Sequence, residues 1–171
     1  MKRLCFLLFH LFVFLGIING QSTYFKTYGK VPQDYFYSLQ KTPDGGFVLS
    51  GISNGYGGSN YLFMANTKAN GDTNWVRGYV TGTSFFGSSV FPCADSSYAV
   101  CGISGFGLVD RSGTLLWQYT YATVTFNSIR QTTDGGFILA GSVGQSSTSN
   151  GQEVYLLKTD YNGTKQWSRK L

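Results

Sequence analysis

The sequence predicts an all-β protein built from three copies of a unit of four short antiparallel strands. Two observations support this fold class: the composition favours strands and turns, and one pattern of turn residues recurs along the chain. The 171 residues include 23 glycines and 3 prolines, 17% of them are aromatic and only 12% are charged. Such a chain is too aromatic and too weakly charged to be disordered, and its glycine content disfavours a helical bundle.

The N-terminal residues 1–20 have the layout of a secretory signal peptide. A short basic start, Met1 to Arg3, precedes an almost wholly apolar stretch that ends at Ile18. As a helix this stretch reaches roughly 22 Å, short of a hydrocarbon core of about 30 Å, which disfavours the alternative of an uncleaved membrane anchor. We expect cleavage between Gly20 and Gln21. The mature domain, residues 21–171, is then secreted or extracellular, with the periplasm or the cell surface as other destinations.

Cleavage would leave a mildly basic chain without histidine. The only histidine, His10, lies in the peptide, as do Lys2 and Arg3, so that 11 basic residues remain against 8 acidic ones. Because no basic run occurs, we expect no nucleic-acid partner. No other apolar run is long enough to span a bilayer, so no membrane span is expected after cleavage.

One stretch of the chain recurs almost unchanged. The segment Ser38–Gly51 matches Ser128–Gly141, and both contain Asp-Gly-Gly-Phe at the same place. A weaker copy, Ser89–Gly102, has Ser96 and Ser97 where the others have two glycines. Self-similarity at a roughly fixed period is typical of repeat architectures.

A second pattern, Gly-x-x-x-Trp, closes each copy, at Trp75, Trp117 and Trp167. Together the patterns define the first, middle and third repeats, over about residues 35–79, 86–121 and 126–171. A similarly spaced pair of tyrosines at residues 24–28 predicts an orphan closing strand ahead of them. Residues i and i+4 of a strand share a face, so we expect these bulky side chains to wedge between neighbouring sheets.

Turn residues divide each repeat into four strands. Asp44, Asp95 and Asp134 occupy the same predicted hairpin turn, where an aspartate bonds the backbone and glycine accepts a positive φ. We therefore assign these aspartates a structural role in the turns. The following strand is apolar on both alternating faces, which predicts that both are covered.

The repeat resembles the β-propeller repeats of secreted bacterial proteins, on the pattern that runs intact from Ser128 to Trp167. Asp110-x-x-Gly113-x-x-x-Trp117 also resembles the tryptophan-docking motif of quinoprotein-like propellers. The resemblance implies three propeller-like blades plus the orphan strand, and a propeller closes with four to eight blades. We therefore expect an incomplete β-propeller: a truncated relative of a longer one, or a chain that self-associates through its open blade faces.

The residues for catalysis are mostly absent from the predicted mature chain. Without histidine it lacks a Ser-His-Asp set and a histidine metal site. Asp34, Asp72 and Glu153 offer no evident pair for glycoside hydrolysis, and Asp160 with Asn162 supplies too few ligands for a calcium loop. We expect no catalytic residue, no metal and no cofactor.

The mature chain has two cysteines, Cys93 and Cys101, and a secreted pair suggests a disulfide. The repeat alignment argues otherwise. If Thr42 lies opposite Phe47, then Cys101 faces Val90 and lies roughly 10 Å from Cys93 along the sheet, beyond the reach of about 7 Å of a disulfide. We expect two free, buried thiols.

The polar loops at 52–60 and 143–153 are the predicted ligand surface, because binding residues concentrate on loops of rigid scaffolds. The candidate ligand residues are Asn54, Tyr56, Asn60, Gln145 and Asn150. The alternative is that these loops only face solvent. The sequence favours a secreted, non-catalytic binding or adhesion scaffold whose partner is a glycan or an extracellular protein. The alternative is a fragment of a larger secreted propeller enzyme, quinoprotein-like or glycan-active.

Overall fold

The computed structural model describes residues 26–28, 34–53, 61–79, 86–144 and 152–171, which contain ten β-strands. In chain order the strands are β1 (Asp34–Lys41), β2 (Phe47–Ser53), β3 (Tyr61–Thr67), β4 (Thr73–Tyr79), β5 (Phe86–Pro92), β6 (Tyr98–Val109), β7 (Leu115–Gln131), β8 (Phe137–Val143), β9 (Glu153–Thr159) and β10 (Lys165–Lys170). Within these ranges there is no helix, and so none that could cross a membrane. The predicted signal peptide lies outside them.

The ten strands form two antiparallel sheets that do not close on each other. One sheet has the order β1-β2-β3-β4, and the other has the order β10-β9-β8-β7-β6-β5. The predicted all-β class is confirmed. The prediction of three separate four-stranded sheets is wrong in its count, because the middle and third repeats share one sheet of six strands.

The merger arises in the middle repeat, which lacks a loop between its second and third strands. In the first repeat, residues 54–60 separate β2 from β3. In the middle repeat only Ser104 and Gly105 remain, and Ser104 takes a φ of 62° while the ladder shifts register beside it. Two residues can kink a strand but do not reverse it here, so β6 runs on. Its first part pairs with β5 and its second part with β7.

Strand β7 is long because it joins two roles that the sequence assigns to separate strands. Its first part, which contains Trp117, pairs with β6. Its second part, from Val124 onward, pairs with β8. No turn separates them, so the closing strand of the middle repeat runs directly into the opening strand of the third.

Three hairpins share one register. The terminal pairs are Lys41 with Phe47, Pro92 with Tyr98, and Gln131 with Phe137. Each ladder also shifts after the equivalent residue: between Phe36 and Ser38, between Gly87 and Ser89, and between Phe126 and Ser128. The closing hairpins repeat likewise, with Trp75 opposite Asn66, Trp117 opposite Leu108, and Trp167 opposite Lys158.

This register corrects the one used to separate the two cysteines. Lys41, not Thr42, lies opposite Phe47, so Cys101 pairs with Ser89 rather than with Val90. The conclusion drawn from it is nevertheless confirmed, because Cys93 and Cys101 are both free and buried. Burial raises the pKa of both thiols.

The middle repeat supplies side chains to two hydrophobic cores. Val90, Val100 and Val109 pack with residues of the first repeat such as Leu62. Alternate residues of the same strands, including Cys101 and Phe106, pack with residues of the third repeat. Because successive side chains of a strand point to opposite faces, β6 is covered on both sides and holds the two sheets together.

Candidate functional site

Two hairpin turns meet where the first repeat contacts the middle repeat. One is the turn at 42–46 after β1, and the other is the turn at 110–114 between β6 and β7. The Arg111 guanidinium donates to the Asp44 carboxylate across a distance of 3.2 Å between Nη2 and Oδ2. Both side chains are exposed, so this ion pair stabilises the fold by about 1 kcal/mol at most. Its position, between two cavities, is its more informative property.

A polar cleft lies on either side of this ion pair. A cavity of about 340 Å³ is lined by Asp44, Gly46, Asn66, Lys68, Ala69, Asn74 and Arg111. A second, of about 280 Å³, is lined by Thr42, Pro43, Asp44, Ser96, Tyr98 and Arg111. The two share Asp44 and Arg111, and we call them together the junction cleft. The larger of the two cavities has a volume at the lower end of the range for small-molecule sites.

A series of hydrogen bonds made by side-chain amides forms one wall of the junction cleft. The buried Asn66 donates from Nδ2 to the Phe47 carbonyl (3.3 Å) and to the Tyr98 hydroxyl (3.0 Å). Its Oδ1 accepts a bond of 2.7 Å from Asn74 Nδ2. The Tyr98 ring lies 6.0 Å from the Trp75 ring. These bonds hold the amide of Asn74 in a defined orientation at the surface of the cleft.

The electrostatics of the junction cleft suit recognition rather than proton transfer. The bond from the Thr42 hydroxyl lowers the pKa of Asp44 below its ordinary value, and the Gly46 amide and Arg111 add to the effect. Burial raises the pKa of Tyr98 above its ordinary value. Both shifts move away from neutrality, whereas a general acid or base needs a pKa near the operating pH. The Asp44 carboxylate, the Arg111 guanidinium and the oriented Asn74 amide offer donors and acceptors to a polar ligand.

The equivalent junction between the middle and third repeats is built differently. There the Tyr161 hydroxyl donates to Asp95 Oδ2 at 2.5 Å, so Tyr161 takes the position that Arg111 has at the first junction. Burial raises the pKa of Asp95, but the bonds from Ser97 and Tyr161 outweigh it, and the net shift is downward. An aromatic ring therefore stands where the first junction has a guanidinium group.

The closing strands dock on the turns of the next repeat. Trp75 Nε1 donates to the Arg111 carbonyl (2.9 Å), and the Tyr79 hydroxyl donates to the Gly113 carbonyl (2.9 Å). Gly113 has a φ of +85°, and a Cβ there would lie 2.9 Å from the Trp75 ring. Only glycine meets both conditions, because it alone adopts this φ readily and has no side chain.

Related contacts occur on either side of this junction. Ahead of it, the Tyr28 hydroxyl donates to the Gly71 carbonyl at 2.7 Å. Residues 26–28 do not form the strand that the sequence predicts there. After it, the rings of Trp117 and Tyr119 lie against Gly163, where a Cβ would lie 2.9 and 2.5 Å from them. Trp117 Nε1 is buried without a hydrogen-bond partner in the described part of the chain.

The structure places the aspartates of the hairpin turns at equivalent positions. Asp95 accepts a bond from the Ser97 amide (3.0 Å), and Asp44 and Asp134 accept the corresponding bonds from Gly46 (3.4 Å) and Gly136 (3.1 Å). Asp134 differs, because Lys158 of its own repeat also binds it at 2.8 Å.

The predicted ligand residues Asn54, Tyr56, Asn60, Gln145 and Asn150 lie outside the described residues. Sequence reasoning missed Asn66, Asn74, Tyr98 and Arg111, which the fold brings together from four separate segments. One signal was present in the sequence. Arg111 aligns with Ala69 and Tyr161 of the other repeats, and such variation at an otherwise regular turn is typical of a position that the scaffold does not require.

Comparison with known proteins yields similarity of fold alone. No family model matches the chain, and no curated protein matches it. A solved structure that it resembles is the crystal structure of a protein of unknown function from Bacteroides caccae, with a TM-score of 0.50 and 11% sequence identity. The match covers 84% of this chain and 70% of that chain. Across the described ranges, no group of three or more His, Cys, Asp or Glu residues could hold a metal ion.

Proposed function

We propose that this chain is an exported, non-catalytic repeat protein of the β-propeller type, which acts as a binding scaffold outside the cell. The observation that supports it best is the recurrence of the junction bonds. Tyr28 and Tyr79 donate to the glycine carbonyls of successive turns, and Arg111 and Tyr161 donate to the aspartates of successive hairpins. Repeat proteins are stabilised by such nearest-neighbour contacts.

In this proposal β1–β4 form one blade, and the second part of β7 forms another with β8–β10. The middle repeat is a reduced blade, whose second and third strands are fused in β6. The ladder shifts that recur at equivalent residues in all three repeats support the assignment. Export rests on the signal-peptide pattern of residues 1–20.

The ligand proposed for the junction cleft is a neutral, polyhydroxylated molecule such as a glycan. Asp44 accepts hydrogen bonds, Arg111 donates them, and Asn74 can do both, which suits neighbouring hydroxyl groups. The charges of Asp44 and Arg111 offset each other, and Lys68 leaves the cleft with a single net positive charge, so the cleft does not strongly favour a charged ligand.

Binding to an array of neutral oligosaccharides tests the proposal. The full chain should bind a subset of these oligosaccharides. The Asn74→Ala variant should bind none of them, because the substitution removes the oriented amide from an exposed position. Gln166→Ala, on the exposed strand β10, serves as the matched control and should bind normally. Bound oligosaccharides should be recovered uncleaved. Absence of binding, binding that survives in Asn74→Ala, or cleaved products would each contradict the proposal.

The exported form has its own test. Mass spectrometry of the secreted protein should find Gln21 at the N-terminus. A secreted chain that still begins at Met1 would contradict cleavage after Gly20.

A further inference from the structure

The turn of the middle hairpin contains a serine in a backbone conformation that favours glycine. Ser96 has a φ of 70°, whereas the equivalent residues of the other repeats are Gly45, with a φ of 86°, and Gly135, with a φ of 82°. Positive φ is uncommon outside glycine, because it brings the Cβ too close to the backbone. Of the other described residues only Ser104 shares this property, and it lies at the kink of β6. Ser96 therefore occupies a strained conformation.

The hairpin turn itself does not require a serine. In all three hairpins the amide of this residue donates to the carbonyl three residues earlier, at 3.1 Å for Ser96 and 2.9 Å for each glycine. Space does not distinguish the turns either, because a Cβ at Gly45 or Gly135 would have no neighbour within 4 Å. The backbone conformation thus disfavours serine in every repeat. Strain of this kind is concentrated at sites where it serves a function.

Ser96 lines the smaller cavity of the junction cleft, and its hydroxyl makes no hydrogen bond within the described residues. The other hydroxyl groups of this cavity are engaged. That of Thr42 donates to Asp44 at 2.5 Å. That of Tyr98 accepts a bond of 3.0 Å from Asn66. Ser96 thus supplies a hydroxyl that is available to a ligand in this cavity.

The boundary between the two cavities also offers hydrogen-bond donors. The Arg111 side chain is 69% exposed, and within the described residues its guanidinium makes a single bond, from Nη2 to Asp44. A guanidinium has five N–H donors, so several are available to hydroxyl groups on both sides. The bond between Asn66 and Tyr98 joins the two walls, because Asn66 lines the larger cavity and Tyr98 the smaller one.

We propose that the junction cleft binds two adjoining sugar units, one in each cavity, and that Ser96 binds the unit in the smaller cavity. This inference rests on the proposed function and makes it more specific, since it sets a disaccharide as the smallest ligand that fills the site. Asn74 binds the unit in the larger cavity, and Arg111 donates to hydroxyl groups of both. The strained serine is kept because its hydroxyl contributes to binding, which a glycine cannot do.

Isothermal titration of the full chain tests the length of the ligand. The probes are glucose, galactose and mannose, and the neutral disaccharides maltose, cellobiose, lactose and mannobiose. At least one disaccharide should bind roughly tenfold more tightly than its component monosaccharides, because it makes hydrogen bonds in both cavities. If no disaccharide binds more tightly than its monosaccharides, or if none of these sugars binds, the two-unit site is wrong. The proposed function fails separately, if the array of neutral oligosaccharides is not bound.

Substitutions at Ser96 separate a binding role from a structural one. Ser96→Gly should weaken disaccharide binding roughly fivefold, through the loss of one hydrogen bond. It should nevertheless raise the melting temperature by roughly 1–4 °C, because relief of the strain exceeds the added freedom of the unfolded chain. Ser96→Ala removes the hydroxyl and keeps the strain, so it should weaken binding equally without raising the melting temperature.

Gly135→Ser is the matched control, because it places the same side chain in the equivalent turn of the third repeat. It should lower the melting temperature by a similar amount and leave disaccharide binding unchanged. The proposal is overturned if Ser96→Gly and Ser96→Ala bind the disaccharide as tightly as the parent. It also fails if Ser96→Gly melts below the parent, because the serine would then stabilise the turn. Weakened binding in Gly135→Ser would likewise contradict it, because the loss would then follow from the stability of the repeats.

Discussion

Replacing Tyr79 by phenylalanine tests the docking of one repeat on the next with the loss of a single oxygen atom. The side chain is only 7% exposed, and its hydroxyl donates to the Gly113 carbonyl at 2.9 Å. The phenylalanine ring occupies the same space, so no cavity forms. Burial also raises the pKa of Tyr79 well above its ordinary value, as expected for a hydroxyl out of contact with water.

The expected loss of unfolding free energy is about 1–3 kcal/mol. A typical hydrogen bond contributes about 1 kcal/mol, and a buried carbonyl left unsatisfied costs about 1–3 kcal/mol. For a chain of this size, each kcal/mol lowers the melting temperature by roughly 2–4 °C. The variant should therefore melt several degrees below the parent.

Urea unfolding followed by tryptophan fluorescence measures this loss. Tyr37→Phe is the control, because Tyr37 is 58% exposed and its hydroxyl can bond water in both states. The control should fall within about 0.5 kcal/mol of the parent, and all three proteins should share one m-value. If Tyr79→Phe is no less stable than Tyr37→Phe, the docking bond does not hold the repeats together, and the reasoning fails.

Three further outcomes are expected. Phe106→Ala should cost about 3–5 kcal/mol in urea unfolding, because its fully buried ring contacts four other aromatic rings, whereas the exposed Leu116→Ala should cost under about 0.5 kcal/mol. The hydrogen bond from Lys158 lowers the folded-state pKa of Asp134, so the stabilisation of the fold by this carboxylate is present above about pH 4 and is lost as the pH falls through the folded pKa. In Asp134→Asn the melting temperature should therefore change less between pH 5 and pH 2 than in the parent. Cys101 should resist alkylation in the native chain, because it is buried and burial raises its pKa, and it should react once the chain is unfolded without reductant. If mass spectrometry detects no added label on the unfolded chain, Cys101 is not a free thiol.

Much of the fold could be predicted from local pattern. The Asp-Gly-Gly turns and the Gly-x-x-x-Trp spacing define the hairpins correctly, because a tight turn depends on a few adjacent residues that tolerate positive φ. The one-residue error in the hairpin register has a local cause too. The turn begins at Thr42, whose amide bonds the Gly46 carbonyl, and so the last ladder pair is one residue earlier than assumed.

The fusion of strands could be predicted only in part. The short Ser104-Gly105 link was visible, but whether two residues reverse the chain or only kink it depends on what the strand can pair with beyond them. Strand β6 runs on because β7 is available to pair with its second part. The junction cleft was beyond sequence reasoning for a similar reason, since Asn66 and Arg111 meet only when two repeats pack.

By itself, the sequence determined the all-β class, the hairpin turns and the positions of the docking tryptophans, because each depends on residues close together in the chain. Only the tertiary structure decided how many sheets form, which turn each closing strand covers and which polar side chains share a cleft. Those outcomes depend on pairing and burial between distant segments. Turns with the same local pattern can therefore make different contacts. At equivalent junctions, Arg111 binds Asp44 through its guanidinium and Tyr161 binds Asp95 through its hydroxyl.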